Sequence, residues 1–111
     1  MITTITTKDQ LAALEAAVKE ACNKAQELSD TEDGGTCNFD TCILNIKMPK
    51  KLREATSLHL TRITWGYYKG LYFVQDIPQN GCGNRRTRQA EAAEQCLRAA
   101  GYDAHVYYEV D

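Results

Sequence analysis

LHLTRITWGYYKGLYFVQDIP, residues 58–78, reads as two strands joined by a tight turn. Leu58 to Trp65 is rich in β-branched and aromatic residues, Gly66 to Gly70 carries the turn, and Leu71 to Ile77 forms the returning strand, which Pro78 stops. A hairpin in mid-chain with one helix-plus-strand unit on each side dictates the arrangement of everything else. Upstream, Thr36 to Lys47 (TCNFDTCILNIK) reads as a strand whose end is apolar at nearly every position. It is followed by a short helix, PKKLREATS, with Pro49 at its first position and Leu52 and Ala55 facing inward. Downstream, an Ala-rich helix runs to about Ala100, with Ala90, Ala93, Leu97 and Ala100 inward and Gly101 as its stop. Ala104 to Val110 closes the chain as a fourth strand.

Strand–helix–strand–strand–helix–strand is the split βαβ, ferredoxin-like plan. With right-handed crossovers it gives a four-stranded antiparallel sheet in order 4-1-3-2, within an α+β fold, and places both helices on one face. An added helix precedes this core. Thr7-Lys8-Asp9-Gln10 has the form of a capping box, and Leu11, Leu14, Val18, Ala21, Ala25 and Leu28 recur at alternating steps of three and four. The helix, within residues 6–29, ends before the polar run SDTEDGG. Its heptad seam is too short for a free-standing coiled coil, so it is expected to cover the second sheet face or to pair with another copy. A homodimer is therefore among the expectations.

At 111 residues, with 43% hydrophobic and 25% charged residues, the chain fits one domain with one core, residues 1–111. A net charge of −2 gives no overall attraction to nucleic acid, so any basic site must be local. No leader pattern or membrane-spanning run is present, and a cytoplasmic protein is expected. Five cysteines without a CxxC pattern argue against a disulfide framework. Cys22 and Cys96 fall on apolar helical stripes and read as core.

The chief functional signal is NGCGNRRTR, residues 80–88. Arg85, Arg86 and Arg88 stand in the first turn of a helix, where the dipole disfavours cations by about 0.3–1 kcal/mol each. A bound phosphate or carboxylate would offset this, held by amides that Gly81 and Gly83 leave accessible. The competing reading makes Asn84 an ordinary N-cap and leaves the arginines solvated or paired with acids. In the expected topology Gly34, Gly35, Thr36 and Asn38 meet this turn, with Tyr108 arriving at the same end of the sheet. Arg85 and Arg86 would contact the anion, and Asn38 and Asn84 would orient it. A small anionic ligand follows as the expected partner, nucleotides among the candidates, with no catalysis, cofactor or metal. Lys50 and Lys51 read as a solvated face.

DGGTCNFD (33–40), GNRRTRQAEA (83–92) and the terminal YYEVD resemble a group of short proteins from gut-dwelling Gram-positive bacteria and their phages and mobile elements. That group has no assigned activity. The resemblance implies a setting of interference with host defence, in which a nucleotide pocket would sequester an immune signal.

Four other readings compete. A protein-interaction role, inhibiting a host defence protein, would use Trp65, Tyr67 and Tyr68 as anchor; the plainer reading has Trp65 capping the core under the tyrosines. RNA binding draws on Lys69 to Gln75, which partly matches the aromatic third strand of RNA-recognition domains, although the first strand offers no aromatic platform. Cys37 or Cys82 as nucleophile lacks a nearby base, and a zinc site from Cys37, Cys42 and Cys82 lacks a fourth ligand. His59 and His105 fall on opposite sheet edges and do not share a role.

Overall fold

In the computed structural model, residues 2–28, 40–78 and 83–108 are described. The elements in order are β1 (Thr3–Thr4), α1 (Lys8–Gln26), β2 (Thr41–Leu44), β3 (Ile46–Lys47), α2 (Lys50–Ala55), β4 (Leu60–Arg62), β5 (Tyr72–Val74), α3 (Asn84–Ala99) and β6 (Ala104–Tyr107). The fold is α+β. Its main sheet is antiparallel, in order β4-β5-β2-β6.

The central strand β2 is buried at all four positions. Alternation then sorts its neighbours: Cys42 and Leu44 share one face with Tyr72, Val74, Ala104 and Val106, while Ile43 shares the other with Phe73 and His105. The expected single strand 36–47 is interrupted. Asn45 donates its backbone N–H to the Asp103 carbonyl and its side-chain amide to the Asp103 carboxylate at 2.9 Å, so the chain leaves β6 there. Beyond it, β3 pairs in parallel with β1, a strand that sequence reading did not anticipate; residues 36–39 lie outside the described residues.

The α1 capping box forms as its sequence requires. Thr7 Oγ1 accepts from Gln10 N–H, and Gln10 Oε1 accepts from Thr7 N–H, both at 3.1 Å. The seam residues Leu11, Leu14, Val18, Ala21 and Ala25 are buried, but not where expected. They join Cys42, Leu44, Val74, Ala93 and Leu97 in one core, so α1 lies beside α3 on the same sheet face. Leu52 of α2 enters this core as well. Rings from Tyr68, Phe73 and Tyr107 take the second face, and the two helices bury their shared side on the first.

Aromatic rings occupy the second face instead. Phe73 meets Tyr107 edge to face with centroids 5.5 Å apart, and Tyr68, from the β4–β5 loop, lies 5.9 Å from Tyr107 and 6.1 Å from His105. This set covers Ile43, which is fully buried. Trp65 does not cap the core as expected: it is 68% exposed. Gly66 (φ 81°) and Gly70 (φ 96°) hold the loop in left-handed turns that other residues adopt only with strain.

Two polar contacts tie the helices to the rest. Gln89 of α3, fully buried, donates from Nε2 to the Ala25 carbonyl at 3.0 Å, satisfying one of the carbonyls that end α1. Glu15 accepts from Ser57 N–H, Thr56 Oγ1 and Ser57 Oγ, at 2.9, 2.9 and 3.0 Å. These bonds, the Ser57 amide first, hold its carboxyl below the ordinary 4.5. A depressed folded value means the contribution is present above the unfolded pKa and lost as pH falls through the folded one. Stability is therefore expected to fall as pH drops below about 4.5, with a smaller acid dependence in Glu15→Gln; urea midpoints across pH 3–6 check this.

Candidate functional site

The arginine turn is built around Asp40. This residue is 2% exposed and immediately precedes β2. Its Oδ2 accepts from Thr87 Oγ1 at 2.7 Å, and its backbone carbonyl accepts from Arg86 Nε at 3.0 Å. Arg86 also donates from Nη2 to Thr41 Oγ1 at 3.3 Å. The guanidinium expected to meet a ligand is thus bound to the start of the central strand, and a carboxylate of the chain itself lies at the start of α3, where the dipole favours negative charge.

Gly83, not Asn84, is the N-cap, and as a glycine it has no side chain of its own to cap the helix. Asn84 is the first helical residue and exposed; Arg85 and Arg88 are half-buried in the same turn. Helix α3 ends at Ala99, and Ala100, expected to face inward, is exposed. Tyr108 donates its hydroxyl to Glu91 Oε2 at 2.8 Å, which with partial desolvation pushes its pKa up to about 12. Gly34, Gly35, Thr36, Asn38 and Gly81, and with them Cys37 and Cys82, lie outside the described residues. The structure therefore brings Gly83, Asn84, Arg85, Arg86 and Arg88 together with Asp40, a partner that sequence reading missed.

A second basic locus stands at the opposite end of β2. A cavity of about 390 Å³ opens between Lys47 on β3, Arg53 on α2, Arg62 at the end of β4 and Lys69 in the β4–β5 loop. No acid lines it. None of these four side chains makes a hydrogen bond or ion pair among the described residues. A smaller hollow of about 160 Å³ shares Arg53, Arg62 and Tyr72 with it. Cations of one sign around a concavity focus their field inside it and concentrate counter-ions there. Sequence carried a signal for this that no local motif expresses: residues 47–75 contain six Lys or Arg and one acid, Glu54, within a chain of net charge −2. Glu54 pairs with Lys50 at 3.7 Å, outside the cavity lining.

The remaining candidates are spoken for locally. His59 Nδ1 pairs with Asp76 Oδ1 at 2.9 Å, and His105 lies between Asp103 Oδ1 (3.0 Å from Nε2) and Arg98 Nη2 (3.2 Å from Nδ1). They sit at the β4 and β6 edges, far apart in the sheet order. Cys42 is buried on β2 and its thiol is pushed up to about 12 by desolvation, so it is a poor nucleophile or metal ligand at neutral pH. Cys22 and Cys96 pack against the core. Among the described residues no group of three or more His, Cys, Asp or Glu could hold a metal ion, and no helix is long and apolar enough to cross a membrane. Compared with known proteins, the chain matches no family model, no curated protein and no solved structure.

Proposed function

We propose that the protein binds a small phosphate-bearing anion without transforming it. The observation that carries this reading is the cavity ringed by Lys47, Arg53, Arg62 and Lys69, four cations from four separate elements with no acid among its described lining residues. Solvated surface cations are ordinary, but they are usually interspersed with acids. Sequestration of a host signal by a phage or mobile-element protein is the biological setting we propose, resting on the resemblance of the 33–40 and 83–92 segments.

The test is thermal unfolding with pyrophosphate and mono- and dinucleotides, at fixed ionic strength, in the native protein, Arg62→Glu and Arg85→Glu. A ligand at a hundredfold excess over Kd adds about 2.7 kcal/mol. The stabilisation is expected in the native protein and Arg85→Glu, and is expected to vanish in Arg62→Glu. Loss in Arg85→Glu alone would move the site to the α3 start, and no stabilisation by any member of the panel would contradict the reading.

We further propose that the core is ferredoxin-like. Support comes from neighbour relations: counting β2, β4, β5 and β6 as first to fourth, the sheet order is 2-3-1-4, which is 4-1-3-2 taken from the other edge. One observation favours a second functional reading, docking on a host protein: Tyr67 is 93% exposed and Trp65 68% exposed in the β4–β5 loop, as an aromatic anchor would be. That reading predicts that Trp65→Ala with Tyr67→Ala abolishes partner capture and leaves pyrophosphate binding unchanged. The RNA-platform reading has less support, because Phe73 packs on Tyr107 rather than standing open.

A further inference from the structure

We infer that the ligand of the cationic cavity is an organic polyphosphate: two or more phosphate groups carried on an apolar or aryl body, the chemistry of a nucleoside di- or triphosphate. The inference rests on the anion reading of this cavity and adds to it the number of charges and the nature of the rest of the molecule.

Charge gives the first part. A phosphate monoester carries about −1.5 to −2 at pH 7, so a single one leaves about half of the four cations without a counter-charge. Two or three phosphate groups match them. The four side chains come from β3, α2, β4 and the β4–β5 loop, so they converge from several sides instead of lying along one face. A linear chain of phosphates meets such an arrangement better than one compact ion does.

The wall gives the second part. Ile2, Leu71 and Tyr72 line the same space as the cations. Tyr72 is buried, Leu71 half-buried, and Ile2 is 50% exposed, an aliphatic side chain left partly in water at the rim of a basic hollow. Inorganic phosphate would gain nothing from these residues, whereas a base or other apolar body would cover them. The volume agrees: about 390 Å³ lies within the range of about 300–1,000 Å³ typical of small-molecule sites and far exceeds the needs of a single phosphate. Lys47 and Ile2 belong to the paired strands β3 and β1 or directly adjoin them, so such a ligand would also fasten the N-terminal strand to the sheet.

Isothermal titration of the full chain with adenosine, AMP, ADP, ATP and inorganic tripolyphosphate, without divalent cations and at fixed ionic strength, tests this. ATP and ADP are expected to bind at least tenfold tighter than AMP, adenosine not measurably, and ATP at least tenfold tighter than tripolyphosphate. Lys47→Glu is expected to weaken ATP at least tenfold, with circular dichroism confirming the fold. Ile2→Ser is expected to narrow the gap between ATP and tripolyphosphate. Equal affinity for ATP and tripolyphosphate would overturn the organic body, and equal affinity for AMP and ATP would overturn the polyphosphate, both leaving the anion reading in place. Absence of binding across the series, or ATP affinity unchanged in Lys47→Glu and Arg62→Glu, would overturn the anion reading of the cavity itself.

Discussion

Leu14→Ala is expected to lower the unfolding free energy by about 2–5 kcal/mol, the range for a buried leucine that leaves a cavity. Leu14 is fully buried in the first half of α1 and belongs to the core that also holds Ala93 and Leu97 of α3 and Leu44 and Val74 of the sheet. Domains of this size hold about 5–15 kcal/mol in total, so this single change takes a large share of it. Urea unfolding followed by circular dichroism measures the loss. The expectation is specific to the packing described: were α1 an appendage covering an open face, or a helix awaiting a second copy, its removal from the core would cost little in the isolated chain. A midpoint barely displaced in Leu14→Ala would argue that α1 does not share the core of α3.

Asp40→Ala is the second large effect, expected at about 2–4 kcal/mol from loss of a charge-assisted hydrogen bond together with a buried carboxylate at the start of α3, where the dipole favours negative charge. The carboxylate is buried, so water does not replace it. Arg86 keeps its bond to the backbone carbonyl at this position, which any residue supplies; the substitution removes the acceptor for Thr87 and a buried negative charge at the start of α3. Asp40→Asn is expected to lose less, since its amide oxygen still accepts from Thr87. Salt should narrow the difference between the two variants only weakly, because buried charges are poorly screened. If Asp40→Ala unfolds at the native midpoint, the arginine turn draws its stability from elsewhere, and a ligand-bound role for it gains weight.

How far the sequence reached is best judged element by element. The α1 capping box and its seam were legible because both are local: four residues set the start, and spacing sets the stripe. Which sheet face the stripe covers was not, since a heptad says only that one side is buried. The break at Asn45 and the strand Thr3–Thr4 depend on Asp103 and on pairing across more than forty residues, and two threonines carry no pattern of their own. The arginine turn was visible as an electrostatic anomaly. Its described answer is Asp40, a residue in the chain's other half that no spacing rule links to Arg86. The basic cavity was hidden for the same reason: Lys47, Arg53, Arg62 and Lys69 stand at unrelated intervals and meet only when β3, α2 and the β4–β5 hairpin come together. Only the charge imbalance of residues 47–75 announces it in one dimension.

The measurement that bears most directly on the central claim is a two-dimensional ¹H–¹⁵N NMR titration of the native chain with pyrophosphate. Binding in the cavity predicts saturable shifts of the amides at residues 45–48, 53, 62 and 69–72, with those of 83–88 unmoved. Shifts centred on 83–88, or none at concentrations that stabilise the fold, would contradict it.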